Sequence, residues 1–193
     1  MVRVILLFYF VMGLLGLGLI GWRVDETSAF NPFGTGGELW LPYLAVAAAA
    51  VAVLHAASVL AVRHWVSLAR GVGEMRVWLG GLSRREVFAV ALASGLGEEI
   101  FFRGWLLNEV GLFWSSVLFG LVHVPPSRNW LYWPFFACAM GFGLGALCLW
   151  TDSLLYAVLV HAGINFINIL RLPRAAEDLP GGSERGFPGP PVS

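Results

Sequence analysis

Six apolar stretches, nearly free of charge, run through the sequence: 4–22, 39–62, 87–107, 112–122, 131–150 and 154–170. About twenty such residues span the roughly 30 Å hydrocarbon layer of a bilayer. Lipid offers no hydrogen-bond partners, so segments of this kind satisfy their backbone internally, as helices. The expected fold is therefore all-α, a polytopic transmembrane helical bundle of about six spans. The fourth stretch is short for a full crossing, so it tilts, borrows from its neighbours or begins inside the protein.

Composition excludes the soluble alternative. Charged residues make up 12% of the 193 and hydrophobic ones 58%, whereas a soluble domain needs roughly a quarter charged to dress its surface. The formal net charge of zero gives no general attraction to nucleic acid, so the lipid bilayer is the expected environment and nucleic acid is not an expected partner. Cys138 and Cys148 lie in one apolar stretch at a spacing that does not stack them on a helix, and they read as buried small hydrophobes. The first stretch follows a single arginine and lacks a small-x-small cleavage site, which marks it as a retained span.

The loops set an orientation. The 23–38 loop carries Asp25, Glu26 and Glu38 against Arg23, while the 63–86 loop carries Arg63, Arg70, Arg76, Arg84 and Arg85 against Glu74 and Glu86. The positive-inside rule places the second loop, and with it both termini, in the cytoplasm. Glu109 and Asp152 then fall outside, and Arg128, Arg171 and Arg174 inside. The segment VSLARGVGEMRVWLGGL in the 63–86 loop mixes apolar and basic residues in the manner of a short interfacial helix. Residues 173–193 are rich in Pro and Gly without periodicity and read as a disordered cytoplasmic tail. Glycines inside spans, Gly13, Gly16, Gly18 and Gly21 in the first and Gly141, Gly143 and Gly145 in the fifth, predict close helix packing. Residues 1–83 thus hold two spans and a basic loop, and 84–172 the four-span core.

An ionisable side chain inside lipid costs several kcal/mol unless it is paired, wetted or useful. The sequence places few there: Glu98, Glu99 and Arg103 in the third stretch, His123 just past the fourth, His161, Asn165 and Asn168 in the sixth, and His55 in the second. Glu99 and Arg103 stand four apart, as an intrahelical ion pair requires. Glu98 is turned about 100° from Glu99 and faces elsewhere, near mid-depth. His161 and Asn165 also share a face. A carboxylate with a nearby histidine can turn a water into a nucleophile, and a second histidine with a carboxamide can donate to an oxyanion.

Plainer readings stand beside these. Glu98, Glu99 and Arg103 could form a structural ion network, His161 and Asn165 packing hydrogen bonds, and His55 and Asn168 interhelical glue. At the level of function, a non-catalytic immunity or scaffold protein could bind a partner through the same cluster. Buried Glu and His also serve proton-coupled carriers, but the six spans show no inverted repeat and no second acidic cluster.

The polar residues also carry a resemblance. Glu98–Arg103 reads EExxxR, Phe119–His123 reads FxxxH and His161–Asn165 reads HxxxN, in that order and on separate apolar stretches. This ordered set resembles the CPBP family of CAAX prenyl endopeptidases, bacteriocin-processing proteins and Abi-type intramembrane proteases. It covers about residues 84 to 171. Many members have about eight spans, so a chain with six resembles the small bacterial ones, the myxosortase type that trims a C-terminal transmembrane anchor among them. The resemblance implies an intramembrane endopeptidase of a bacterial inner membrane acting on a membrane-anchored protein or peptide. Glu98 with His123 would activate water, His161 and Asn165 would stabilise the oxyanion, and Glu99 and Arg103 would support them. Family members have been described both as metalloproteases and as glutamic proteases. A zinc on Glu98, His123 and His161 is conceivable, yet the sequence lacks HExxH and glutamate needs no metal to activate water, so the metal-free, cofactor-free reading is favoured.

Overall fold

The computed structural model describes residues 1–23, 39–123 and 130–172. The acidic side of the 23–38 loop, Arg128, Arg174 and the 173–193 tail lie outside the described residues. Within them the elements are α1 (Val2–Arg23), α2 (Trp40–His64), α3 (Val66–Leu79), α4 (Arg84–Glu99), a π-helical stretch (Ile100–Leu106), α5 (Leu107–Val122), α6 (Trp133–Thr151) and α7 (Leu154–Leu170). The fold is an all-α membrane bundle.

Four helical runs are long and apolar enough to cross a membrane: Val2–Trp22, Trp40–His64, Arg84–Val122 and Trp133–Thr151, with the shorter apolar Leu154–Leu170 beside them. The third and fourth stretches of the sequence therefore belong to one run of 39 residues. It is not straight. Gly111 sits at φ 76°, ψ 174°, outside helical geometry, where only glycine is free of the Cβ penalty. Phe102 and Phe119 would be about 25 Å apart along a straight helix, yet their rings meet edge-to-face with centroids 4.9 Å apart. The chain doubles back at Gly111, and the stretch 112–122 is a return of about 16 Å, half a crossing. That explains why it is short.

Helix α3 occupies the segment expected to hold an interfacial helix, and its Glu74 accepts a hydrogen bond from Trp130 Nε1 at 2.7 Å. Helix α4 begins at a capping box: Ser83 Oγ accepts from the Glu86 amide, and the Glu86 carboxylate accepts from the Ser83 amide at 2.9 Å. Asp152, in the left-handed conformation, ends α6, and Ser153 Oγ caps α7 by accepting from Leu155 N.

Helix α7 is the centre of the bundle. Leu154, Tyr156, Ala157 and Val160 are all but inaccessible, and the last three pack with Ala47 of α2 and Leu144 of α6. Helix α4 lies along α7, α1 along α4 and the π stretch, α2 along α7, and α5 against α6. Close approach needs missing side chains. A Cβ on Gly95 would stand 3.0 Å from the Ala162 Cβ, and one on Gly141 would stand 2.9 Å from the Ser116 Cα. Gly13, Gly16 and Gly145 also pack, whereas Gly18, Gly21 and Gly143 have open space around them, so the packing expected of these three is absent. The remaining faces of α1 and α2 leave Leu7, Phe8, Phe10, Leu14, Val53 and Leu60 exposed, as lipid-facing surfaces do. Cys138 and Cys148 are free thiols.

Candidate active site

The site is assembled from three helical segments. Glu98 and Glu99 end α4, His123 closes α5 and His161 lies mid-way along α7. From Glu98 the chain climbs thirteen residues to Gly111 and returns over a similar number to His123. The equal rise brings His123 back level with Glu98, so its place beside a half-span, and not at a membrane surface, follows from the fold at Gly111.

Glu98 Oε2 lies 3.7 Å from His123 Nε2 and 3.8 Å from His161 Nε2. Both separations are too long for direct hydrogen bonds. The oxygen is buried and takes no hydrogen bond from the described residues. Each ring is fixed from its far side. His123 Nδ1 lies 2.6 Å from the Phe119 carbonyl, and His161 Nδ1 lies 2.7 Å from Glu99 Oε1. Both partners are acceptors, so each Nδ1 carries the proton. That leaves the two Nε2 atoms turned toward one carboxylate oxygen. The FxxxH spacing has a local meaning in this fold: the residue four before His123 supplies the carbonyl that orients it.

Glu99 is wholly inaccessible and Arg103 is 2% exposed. Arg103 Nη1 donates to Glu99 Oε1 at 2.8 Å, and Nη2 reaches the Gly141 carbonyl at 3.4 Å. The guanidinium also lies over the Phe119 ring, 4.3 Å from its centroid. The expected i,i+4 pair therefore forms, but it straddles the start of the π stretch where the sequence suggested an unbroken α-helix. Wider π turns are common at functional sites.

Asn165 stands apart. Its Nδ2 donates to Ser94 Oγ at 3.0 Å, and Ser94 donates to the Ala91 carbonyl. No described hydrogen bond joins Asn165 to Glu98, His123 or His161, which lie about one turn away along α7 and α4. Ser94 is buried, four residues before Glu98, and sequence reasoning passes over it. Its signal is a hydroxyl on the Glu98 face of an apolar helix. His55 and Asn168 bond to each other at 2.8 Å, and Arg171 Nη1 lies 2.8 Å from His55 Nε2, so this network ties α2 to α7 away from the carboxylates.

Residues 82–167 match the family model described as "Type II CAAX prenyl endopeptidase Rce1-like". That stretch, less than half of the chain, is similar to the core of the CPBP family. No curated protein and no solved structure matches the chain. The core is that of an intramembrane protease of the CAAX type in the broad sense, with a peptide or protein as substrate. The matched stretch holds Glu98, His123, His161 and Asn165, and leaves α1 and α2 outside it.

A metal cage sets tighter distances than these donors show. Tetrahedral zinc at about 2.0–2.1 Å from each ligand atom would draw the nitrogens and oxygen to roughly 3.3 Å from one another. Glu98 Oε2 stands 3.7 and 3.8 Å from the two nitrogens. Among the described residues no three His, Cys, Asp or Glu side chains are grouped to hold an ion. Both separations are wider than that spacing.

Proposed function

We propose that Glu98 and His123 activate a water for hydrolysis of a peptide bond, and that His161 and Asn165 stabilise the resulting oxyanion. The observation that carries this reading is the convergence of His123 Nε2 and His161 Nε2 on one partnerless, buried carboxylate oxygen, at 3.7 and 3.8 Å. Gaps of that size suit a small molecule bonded to two groups at once. A water between Glu98 Oε2 and His123 Nε2 gives up a proton to the carboxylate as its oxygen bonds to the scissile carbonyl carbon. The tetrahedral oxyanion then collapses, the C–N bond breaks, and the proton on Glu98 passes to the leaving amine. The route needs no metal and no cofactor.

His161 has a defined requirement in this scheme. Its Nδ1–H is committed to Glu99, so donation from Nε2 requires the imidazolium. Asn165 has a second N–H beyond the one bonded to Ser94, and in this scheme it is the one donated to the oxyanion. The substrate is a membrane-anchored protein or peptide, and the enzyme sits in a bacterial inner membrane with both termini cytoplasmic.

The test compares wild type with Glu98→Gln, each purified in detergent and mixed with membrane protein extract of the source cell, with and without a chelator. Mass spectrometry reads the new peptide termini. Termini made by wild type alone, and unaffected by chelator, are expected. Equal products from both proteins would overturn the role of Glu98 as base, and an absence of products from either would favour a binding protein.

A further inference from the structure

Helices α4 and α7 run antiparallel, and their contacts form a ladder. Glu99 meets His161, Gly95 meets Ala162, Ser94 meets Asn165, and the Phe88 and Phe166 rings stand edge-to-face with centroids 6.0 Å apart. Ser94 is four residues before Glu98 and Asn165 four after His161. The Ser94–Asn165 rung therefore lies one helical turn, about 6 Å, from the rung that holds the carboxylates. A serine side chain is short, so this rung needs close backbones. A Cβ on Gly95 would stand 3.0 Å from both the Cβ and the amide nitrogen of Ala162. The missing side chain there brings the Ser94 hydroxyl within reach of α7.

The direction of each hydrogen bond follows from counting protons. Ser94 is 3% exposed. Its hydroxyl has one proton, and it donates that proton to the Ala91 carbonyl of its own helix at 3.1 Å. Toward Asn165 only lone pairs remain. They accept from Nδ2 at 3.0 Å, and they would repel the carboxamide oxygen if the group were turned over. We infer that Ser94 is a positioning residue, whose committed hydroxyl fixes which way round the Asn165 carboxamide sits. The nitrogen, with its second N–H, is held on the α4 side, one turn from Glu98, and the oxygen is kept from that place. The terminal torsion of an asparagine is roughly two-fold, so without Ser94 both orientations would be sampled. In the turned-over one an oxygen lone pair faces the developing oxyanion and opposes its charge. A donor aligned before the reaction acts in the transition state, where that charge forms, and not on substrate affinity.

This inference rests on Asn165 as an oxyanion donor, so the experiment separates the two. Wild type, Ser94→Ala, Asn165→Ala and the double variant are incubated in detergent with a dilution series of the source membrane extract. Initial rates per folded enzyme, the folded fraction being read from the thermal transition, are followed on the most abundant terminus that wild type makes. Asn165→Ala is expected to lower the saturating rate about 10²-fold. Ser94→Ala should lower it about fivefold, the effect of losing one neutral hydrogen bond. Its half-saturating extract concentration should stay within about twofold of wild type. The double variant should match Asn165→Ala, because Ser94 then has no carboxamide to hold. A Ser94→Ala rate equal to wild type, with Asn165→Ala impaired, overturns the inference alone. So does a double variant slower than Asn165→Ala by the same fivefold, which gives Ser94 a part independent of the carboxamide. A Ser94→Ala loss that vanishes once rates are taken per folded enzyme also overturns it, leaving Ser94 a packing residue. Asn165→Ala cleaving at the wild-type rate, or no wild-type product at all, overturns the oxyanion reading beneath it.

Discussion

The two adjacent glutamates differ by what surrounds them. Glu99 Oε1 is shared between Arg103 and His161, at 2.8 and 2.7 Å, and its charge is compensated inside the bundle. Each glutamate has one buried oxygen, Oε2, that takes no hydrogen bond from any described group, but only that of Glu98 has two imidazole Nε2 atoms near it, at 3.7 and 3.8 Å. Substitution should separate them. Glu98→Gln preserves shape but removes the proposed base, and cleavage should fall by about 10²–10⁴-fold with the thermal midpoint nearly unchanged. Arg103→Met leaves Glu99 with only the His161 ring as partner inside the bundle, a loss of up to about 3–5 kcal/mol. Its thermal midpoint in detergent should drop well below that of Glu98→Gln. The double variant Arg103→Met/Glu99→Gln removes the stranded charge and should recover part of that stability. A site in which Glu98→Gln is the less stable variant would reverse these roles.

Among elements, the decisive feature is the fold of the Arg84–Val122 run at Gly111. It turns an eleven-residue stretch that cannot cross a membrane into the strut that carries His123. Gly111→Ala meets no steric neighbour, so its effect is conformational alone, about 1–2 kcal/mol for a Cβ in that backbone region. Denaturation should register that loss, and activity should fall with it if the turn loosens. Gly97→Ala acts on the α1–α4 contact. Its new methyl would meet the Tyr9 backbone, which has no rotamer by which to yield. Overpacking of that kind costs about 1–3 kcal/mol, and α1 should become more accessible to protease while the α4–α7 pair stays protected.

Across the whole molecule, α7 ties the bundle together, because it touches α2, α4 and α6 at once. Its inner half holds His161 against Glu99, and its last turns hold Asn168 against His55 of α2. The second contact is structural and distant from the carboxylates. Asn168→Leu removes the acceptor for His55 and should lower stability by about 1–3 kcal/mol while cleavage by the surviving folded protein is unchanged. A selective loss of cleavage in this variant would draw the α2–α7 network into the chemistry.

By itself the sequence determined the class of fold and the set of polar residues. Apolar runs of membrane length leave helices as the only way to satisfy the backbone, and charge is costly enough in lipid that Glu98, Glu99, Arg103, His123, His161 and Asn165 could be picked out one by one. The Glu99–Arg103 pair was legible too, because i,i+4 geometry is local. What only the tertiary structure decided was depth, direction and company. The sequence set His123 just past a short stretch and His161 within another, with nothing to join them, whereas the turn at Gly111 brings both to one oxygen of Glu98. It could not show that Ser94 engages Asn165, or that Tyr9 of the first span lies against Gly97. Those contacts join residues 71 and 88 apart in the chain. Helical periodicity carries no information across such separations, because packing sets them, here through glycines that let the helix backbones touch.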